Sequence, residues 1–424
     1  MAIEFYKEFG ELGYLANYSN HGFWKNGIYY KTVEHYYQSE KFKNPEIKKR
    51  IINAKTPKEA STIGRDRDNR RIDDFKRIKI EVMEEGVFQK FLQNCDIRSK
   101  LIETRNQEIK EMSTKESFWG VGPNLDGENH IGKILMKVRE RVKEAVWNQI
   151  LGNCKNKKVY VIGHPNPDAD SIFSSIILTH ILKSFGIEAV FAVRDENFVD
   201  KELIKDYLEE EYEVIKDYQN KYFILVDHND LNSIPKKNVI GSIDHHRITG
   251  EVDNLIEIEY ASTALLLYDL LKRKYSFTEK EKLLIGLTVL SDTEYLTSSR
   301  FTREDQELYY SLDLGIDAKK YQAKYFKTTD FSKPSEENFH EDYKEYNINQ
   351  NRIKRSMIRS YHDQLEEYFD RYIEEMEKED IDLLIWCDYE EKNTKVYYKK
   401  KIDFPYFTTS TNLVLKYLQD KNIL

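Results

Sequence analysis

Three short apolar runs, VYVIG, FILV and VIGSI, each run directly into aspartate and histidine. The first continues as GHPNPDADS, the second ends in Asp227-His228-Asn229-Asp230, and the third in Asp244-His245-His246-Arg247. Runs of this length, without polar alternation, read as strands covered on both faces, and the stretches between them have the lengths that parallel crossovers require. Ala189 to Val193 reads as a further strand and Ser171 to Phe185 as a helix. The pattern predicts a doubly wound parallel α/β domain, and such sheets place ligand sites at the carboxyl ends of their strands.

A chain of 424 residues exceeds the size at which one hydrophobic core stops growing, so several domains are expected. Helical spacing from Ile131 to Ile150, followed by the polar run GNCKNKK, sets a first boundary near Gly152. The expected organisation is a mainly α domain over 1–152, the α/β domain over 153–330, and a small α+β domain over 331–424. In the last of these, a long helix is expected from Arg352 to Glu377, strands in IDLLIWC and KVYYK, and a final helix after Thr409.

Loop ligands after a strand can converge on one point, and imidazole with carboxylate is a donor set suited to Mn²⁺ or a similar divalent ion. The apolar run LLIGLTVL leads into Ser291-Asp292-Thr293 and adds a fourth element ending in a carboxylate. Any one of these residues alone is better explained as a helix cap or a core hydrogen-bonding group. Together GHPNPDADS, VDHND, DHHR and SDT resemble the DHH phosphoesterase superfamily, nearest its family II pyrophosphatase branch, over about Val159 to Asp317. The resemblance implies two Mn²⁺ ions, with Mg²⁺ or Co²⁺ as alternatives. It places His164 and Asp168 on one ion, Asp170, His245 and Asp292 on the other, and Asp227 between them. It also turns His246 and Arg247 toward substrate. That branch carries a Ser-Arg-Lys type phosphate-gripping motif near its C-terminus; here the region reads KVYYKKKIDFPYF, with Lys399, Lys400 and Lys401 in its place.

In the first domain, TVEHYYQSEKF reads as a helix presenting Glu34, and FWGVGPNLDGENHIGK is a glycine-rich loop. With FYKEFGELGYLANYS, GRDRD and VMEEGVFQKFLQN, these segments resemble the NADAR family in order and spacing, from Phe5 to about Arg141. The resemblance implies an N-glycosidase acting on ADP-ribosylated guanine or on phosphoribosylated intermediates. It makes Glu34 and Glu116 the catalytic carboxyls and assigns substrate contacts to Arg65, Phe75, Trp119 and Asn129. Phe75 stands where the family commonly has tryptophan, and Glu116 where many members have aspartate.

A formal charge of −8 excludes a generally basic nucleic-acid binder, although Arg65, Arg67, Arg70 and Arg71 form a local cluster. Three cysteines without metal-ligand spacing, no apolar leader and no long apolar run point to a cytoplasmic protein without a membrane partner. The expected function is a bifunctional hydrolase acting on a nucleotide or ADP-ribose-type small molecule, and a homodimer is possible. The alternatives are removal of ADP-ribose from guanine in DNA by an antitoxin or phage-defence protein, plain pyrophosphate hydrolysis, or a nucleotide-sensing role for one domain.

Overall fold

The computed structural model describes residues 2–66, 71–231, 233–246, 252–296, 298, 301–325, 335–341, 343–348, 351–360, 365–376, 378–388, 393–405 and 411–423. They form two compact units, Met1–Thr288 and Val289–Leu424.

The first unit opens with β1 (Ile3–Phe5), the hairpin β2 (Phe23–Lys25) and β3 (Ile28–Tyr30), and α1 (Val33–Ser39). It continues through α2 (Pro45–Asn53), α3 (Pro57–Arg65), α4 (Phe75–Gln93), α5 (Cys95–Ile102), β4 (Ile109–Glu111) and α6 (His130–Cys154). Helix starts follow local chemistry: Thr32, Asn44 and Thr56 each accept a first-turn backbone N–H, and Pro45 and Pro57 occupy the first turn, where a missing N–H costs nothing. β4 pairs in parallel with β1. The expectation of a mainly α domain is corrected: this region is mixed α/β, because its strands are three residues long and too short to display a period of two.

The α/β region comprises β5 (Lys158–Ile162), α7 (Ala169–Ser184), β6 (Glu188–Val193), α8 (Lys201–Tyr207) and β7 (Glu213–Val214). It is completed by β8 (Tyr222–Val226), β9 (Val239–Asp244), β10 (Leu255–Glu257), α9 (Thr263–Leu271) and α10 (Glu279–Asp292). Its six strands run β10-β9-β8-β5-β6-β7, all parallel. The chain winds outward from β5 to β7, then returns to β8 and winds the other way. The order therefore reverses between β5 and β8, where crevices open at strand ends.

α6 does not stop at the expected boundary. It continues through Gly152 to Cys154, and its buried side chains Val142, Val146, Trp147 and Ile150 form one stripe with Ile131, Ile134, Leu135 and Val138. Its second half packs on β9 and β10, and Trp147 meets Phe185 edge-on at the end of α7. Gly241 of β9 permits this approach: a Cβ there would lie 2.8 Å from Ile150 and 2.8 Å from the Asn254 carbonyl. Gly241→Ala is expected to destabilise the unit by about 1–3 kcal/mol, the range for overpacking a filled interior; equal denaturant midpoints for the two proteins would contradict this.

The second unit contains α11 (Arg303–Tyr310), α12 (Ala318–Tyr325), α13 (Ser335–Glu341), β11 (Tyr343–Ile348), β12 (Asn351–Ser360), α14 (Leu365–Met376), β13 (Leu383–Asp388), β14 (Asn393–Tyr398), β15 (Lys400–Ile402) and α15 (Thr411–Asp420). The five strands form one mixed sheet, in which only β12 and β13 are parallel. The expected helix from Arg352 to Glu377 is corrected: Asn351–Ser360 is a strand, and among the described residues of that range helix is confined to Leu365–Met376. Ile353 and Met357 lie four apart, a spacing that fits either a helix or one face of a strand, and here both join one face of the sheet. The strands in IDLLIWC and KVYYK and the last helix are as expected. Among the described residues no helix is long and apolar enough to cross a membrane, and no disulfide joins the cysteines.

Candidate active sites

At the β5/β8 reversal, His164 follows β5, Asp168 caps α7, Asp170 lies in its first turn, Asp227 follows β8, and His245 and His246 follow β9. Gly163 is required where the chain leaves β5. A Cβ there would collide with the Ser171 hydroxyl, which accepts the His164 N–H at 3.1 Å and draws the loop onto the helix. Asp168 accepts from the Ser171 N–H at 2.9 Å. Asp227 has φ 61°, a left-handed conformation that aspartate tolerates better than most residues and that is characteristic of functional positions.

The side chains converge on Asp227. His164 Nε2 lies 3.3 Å from one of its oxygens and His245 Nε2 3.3 Å from the other, while His164 also faces Asp168 at 3.5 Å and His245 faces Asp170 at 3.8 Å. Two overlapping groups within the first unit hold ligand atoms within 4.8 Å of one another: His164-Asp168-Asp227 and Asp227-His245-His246. Asp292 ends α10, a helix that starts in the first unit.

This arrangement fits a pair of divalent cations. The Oδ2 of Asp227 is buried and lacks a hydrogen-bond partner. The Nδ1 atoms of His164 and His245 face the carbonyls of Pro165 at 2.8 Å and Tyr260 at 2.9 Å. A carbonyl only accepts, so each Nδ1 carries the proton and each Nε2 lone pair points to the centre, the usual outer support of metal-binding histidines. With carboxylates alone at the centre, burial lowers the His164 pKa, but Asp168 and Asp227 outweigh it and raise it to about 11. Burial and the neighbouring Asp227 push Asp170 up to about 7. Burial also works against the Asp227 charge, yet His164 and His245 hold its carboxyl well below the usual range.

His246 sits half-exposed at the edge, 3.0 Å from Asp244 and 3.5 Å from Asp227. Arg247 lies outside the described residues. Arg194, at the end of β6, was not singled out by sequence reasoning. Its guanidinium is buried, donating to the Gly163 carbonyl at 3.0 Å and to His228 Nε2 at 2.6 Å. His228 therefore carries its proton on Nδ1, facing the Val226 carbonyl at 2.8 Å, and burial with the Arg194 charge lowers its pKa to about 4.

A second site lies among the elements that run up to the first turn of α6. A cavity of about 310 Å³ is walled by Glu34, Lys41, Arg65, Glu111, Glu116 and Trp119, among others. Glu34, in the first turn of α1, is 4% exposed and accepts from Asn17 Nδ2 at 2.9 Å, Gln38 Nε2 at 2.7 Å and the Tyr18 hydroxyl at 3.4 Å. Burial raises its pKa despite these donors. Burial lowers Lys41 to about 8, with Glu34 pulling the other way.

The structure brings Glu34, Glu116, Arg65 and Trp119 to this cavity and leaves Phe75 and Asn129 out of its wall. Phe75 packs edge-on against Tyr37, which in turn meets Trp119. Asn129 uses both ends of its amide on β4, accepting from the Glu111 N–H at 3.1 Å and donating to the Ile109 carbonyl at 2.9 Å. Arg67 and Arg70 of the arginine cluster lie outside the described residues. Sequence reasoning passed over Glu111, which burial and the nearby Glu116 raise to about 7. The only signal was its position five residues before Glu116, in a strand too short to be legible.

Two candidate sites thus share one chain, a carboxyl-lined cavity and a cluster of imidazoles and carboxylates that could hold two divalent ions. The profile of the NADAR domain matches residues 4–143 and that of the DHH family N-terminal domain residues 158–291. The chain belongs to the NADAR family through its first domain, fused to a DHH-superfamily phosphoesterase domain, and is a hydrolase. An N-glycosidase of Nostoc punctiforme is 42% identical over 146 residues, which cover 34% of this chain and 94% of that protein. N-glycosidase YbiA of Escherichia coli is 29% identical over 140 residues, 33% of this chain and 88% of that protein. A solved structure of a putative family II inorganic pyrophosphatase from Methanococcus jannaschii aligns with 23% identity and a TM-score of 0.42, covering 56% of this chain and 86% of that one.

Proposed function

We propose that the chain is a bifunctional hydrolase of nucleotide-related small molecules. The cavity domain cleaves the N-glycosidic bond of an ADP-ribosylated or phosphoribosylated base, and the metal centre hydrolyses a phosphoanhydride or phosphoester. The observation that carries this reading is the coexistence, in one compact unit, of a buried carboxyl in a cavity that also presents Lys41 and Arg65 and a buried aspartate shared by two imidazole-carboxylate groups.

In the cavity, N-glycoside hydrolysis needs stabilisation of an oxocarbenium-like sugar, activation of water and a proton for the leaving base. Glu34, oriented by Asn17 and Gln38, is the carboxyl next to the sugar, and Glu116 is its partner. Glu111 supplies a third carboxyl that remains protonated up to about 7 and is suited to donate to the base. Lys41 and Arg65 offer positive charge to a ribose-linked phosphate.

In the metal centre, His164, Asp168 and Asp227 would hold one divalent ion and Asp170, His245 and Asp292 the other, with Asp227 placed to serve both. Mn²⁺ suits this mixed nitrogen and oxygen set, with Mg²⁺ and Co²⁺ as alternatives. When bound, the ions supply Lewis-acid chemistry, lowering the pKa of water and neutralising phosphoryl oxygens. His246, half-exposed beside Asp227, is placed to contact a phosphate.

Product analysis tests the whole reading. With an ADP-ribosylated guanosine and Mn²⁺, the expected products are guanosine, AMP and ribose phosphate; intact substrate would overturn the glycosidase reading. ADP-ribose supplied directly and left uncut, together with uncut pyrophosphate, would overturn the second.

Glu111 also makes a pH prediction. Its folded pKa lies above the ordinary glutamate value, so the folded state holds the extra proton. The stability this contributes is complete below about pH 4.5 and is lost as pH rises through about 7. Glu111→Gln should remove that loss, so the melting temperature of the variant relative to wild type should climb between pH 5 and 8 on the order of the titration window. A difference that does not change with pH would show that Glu111 is not so perturbed.

A further inference from the structure

The elements before β5 do more than carry a second activity. α5 leads into a tight loop, residues 103–107, which is bolted to α6 by the buried Arg139, donating to Thr104 Oγ1 at 2.7 Å and to the Gln107 carbonyl at 3.1 Å. From this loop the Arg105 guanidinium lies 4.4 Å over the ring of Tyr260, beyond β10. Arg105 adopts φ 44°, a conformation unfavourable for a residue with a Cβ and maintained only where surrounding contacts fix it. Nearby, Arg98 of α5 donates to the Asp253 carbonyl at 3.3 Å, so the same segment grips the sheet edge at a second point.

Tyr260 is held from two sides. Its hydroxyl donates to Asp269 of α9 at 2.7 Å, and its ring lies under Arg105. Its main-chain carbonyl is the group that accepts the His245 Nδ1 proton at 2.9 Å. That single contact fixes which His245 nitrogen points at Asp227 and Asp170 and the angle at which it does so.

We propose that Arg105, a residue of the glycosidase domain, is a positioning residue for the metal centre, acting through the Tyr260 ring and carbonyl on His245. The inference rests on the two-metal reading above. Cation–π contact fixes the ring, the fixed ring holds its own carbonyl, and the carbonyl sets the imidazole. None of these residues lines the glycosidase cavity.

The test is calorimetric titration of Mn²⁺ into full-length, chelator-stripped wild type, Arg105→Ala and Arg105→Lys, with melting temperature and base release measured in parallel. Loss of support outside the ligand shell typically costs about 10–100-fold in metal affinity. Acting at one remove, Arg105→Ala should weaken the second Mn²⁺ by about tenfold, with Arg105→Lys intermediate because an ammonium still sits over the ring. Base release and melting temperature should stay near wild type. Equal Mn²⁺ affinity in Arg105→Ala and wild type would overturn the proposal and leave the two-metal reading intact. A parallel fall in affinity, melting temperature and base release would overturn it in favour of a merely structural contact. A wild type that takes up no Mn²⁺ would sink both together.

Discussion

Asp227→Asn is expected to abolish the binding of paired divalent ions and to lower phosphohydrolase turnover by at least about 10³-fold, or roughly 4 kcal/mol of transition-state stabilisation. The substitution is chosen for its side effects as much as for its main one. Asparagine is as comfortable as aspartate at φ 61°, so the backbone should not object. Without a cation, His164 and His245 hold the Asp227 carboxyl well below the usual range, so its charge stabilises the metal-free fold and Asp227→Asn should also lower the melting temperature of the metal-free protein. The measurement is metal stoichiometry after dialysis, paired with turnover and melting temperature. Two ions retained with full turnover would refute the shared-ligand assignment, and base release should be untouched.

The second large effect is expected at Glu34. Glu34→Gln retains the shape of the side chain and an amide that Asn17 and Gln38 can still engage, but it removes the ionisable group. Base release should fall by about 10²–10⁴-fold, the usual contribution of a positioned acid or base. Binding of a substrate analogue should be nearly unchanged, because Lys41, Arg65 and Trp119 remain in the cavity wall. Activity surviving in Glu34→Gln would move the chemistry to Glu111 or Glu116. Each of the two variants serves as the other's control.

The sheet was legible because a strand buried on both faces is an uninterrupted apolar run. The cluster of imidazoles and carboxylates was legible because each such run ended in Asp or His: that His164, Asp227 and His245 share one end of the sheet needed no knowledge of packing. Other features depended on partners distant in sequence. Arg194 reads as an ordinary polar residue after β6 until its contact with His228, 34 positions away, is seen. Glu111 acquires its perturbed carboxyl from burial in a three-residue strand paired with the first strand of the chain. Asn129, expected to meet substrate, braces β4 instead. At Asn351–Ser360 the ambiguity is intrinsic, since residues four apart satisfy a helix and a strand equally. The polar run after Ile150 suggested a boundary, but surface polarity says nothing about the buried side of the same helix.

That buried side governs how the two activities can be studied apart. A fragment ending at Gly152 would keep Val146, Trp147 and Ile150 while losing the strands they cover, and so would carry a bare greasy strip into water. A fragment beginning at Asn153 would expose the matching groove along β9 and β10. The enzymes are spliced at the level of their interiors rather than strung on a tether. Inactivating one chemistry by point substitution therefore preserves the other, where scissors would damage both.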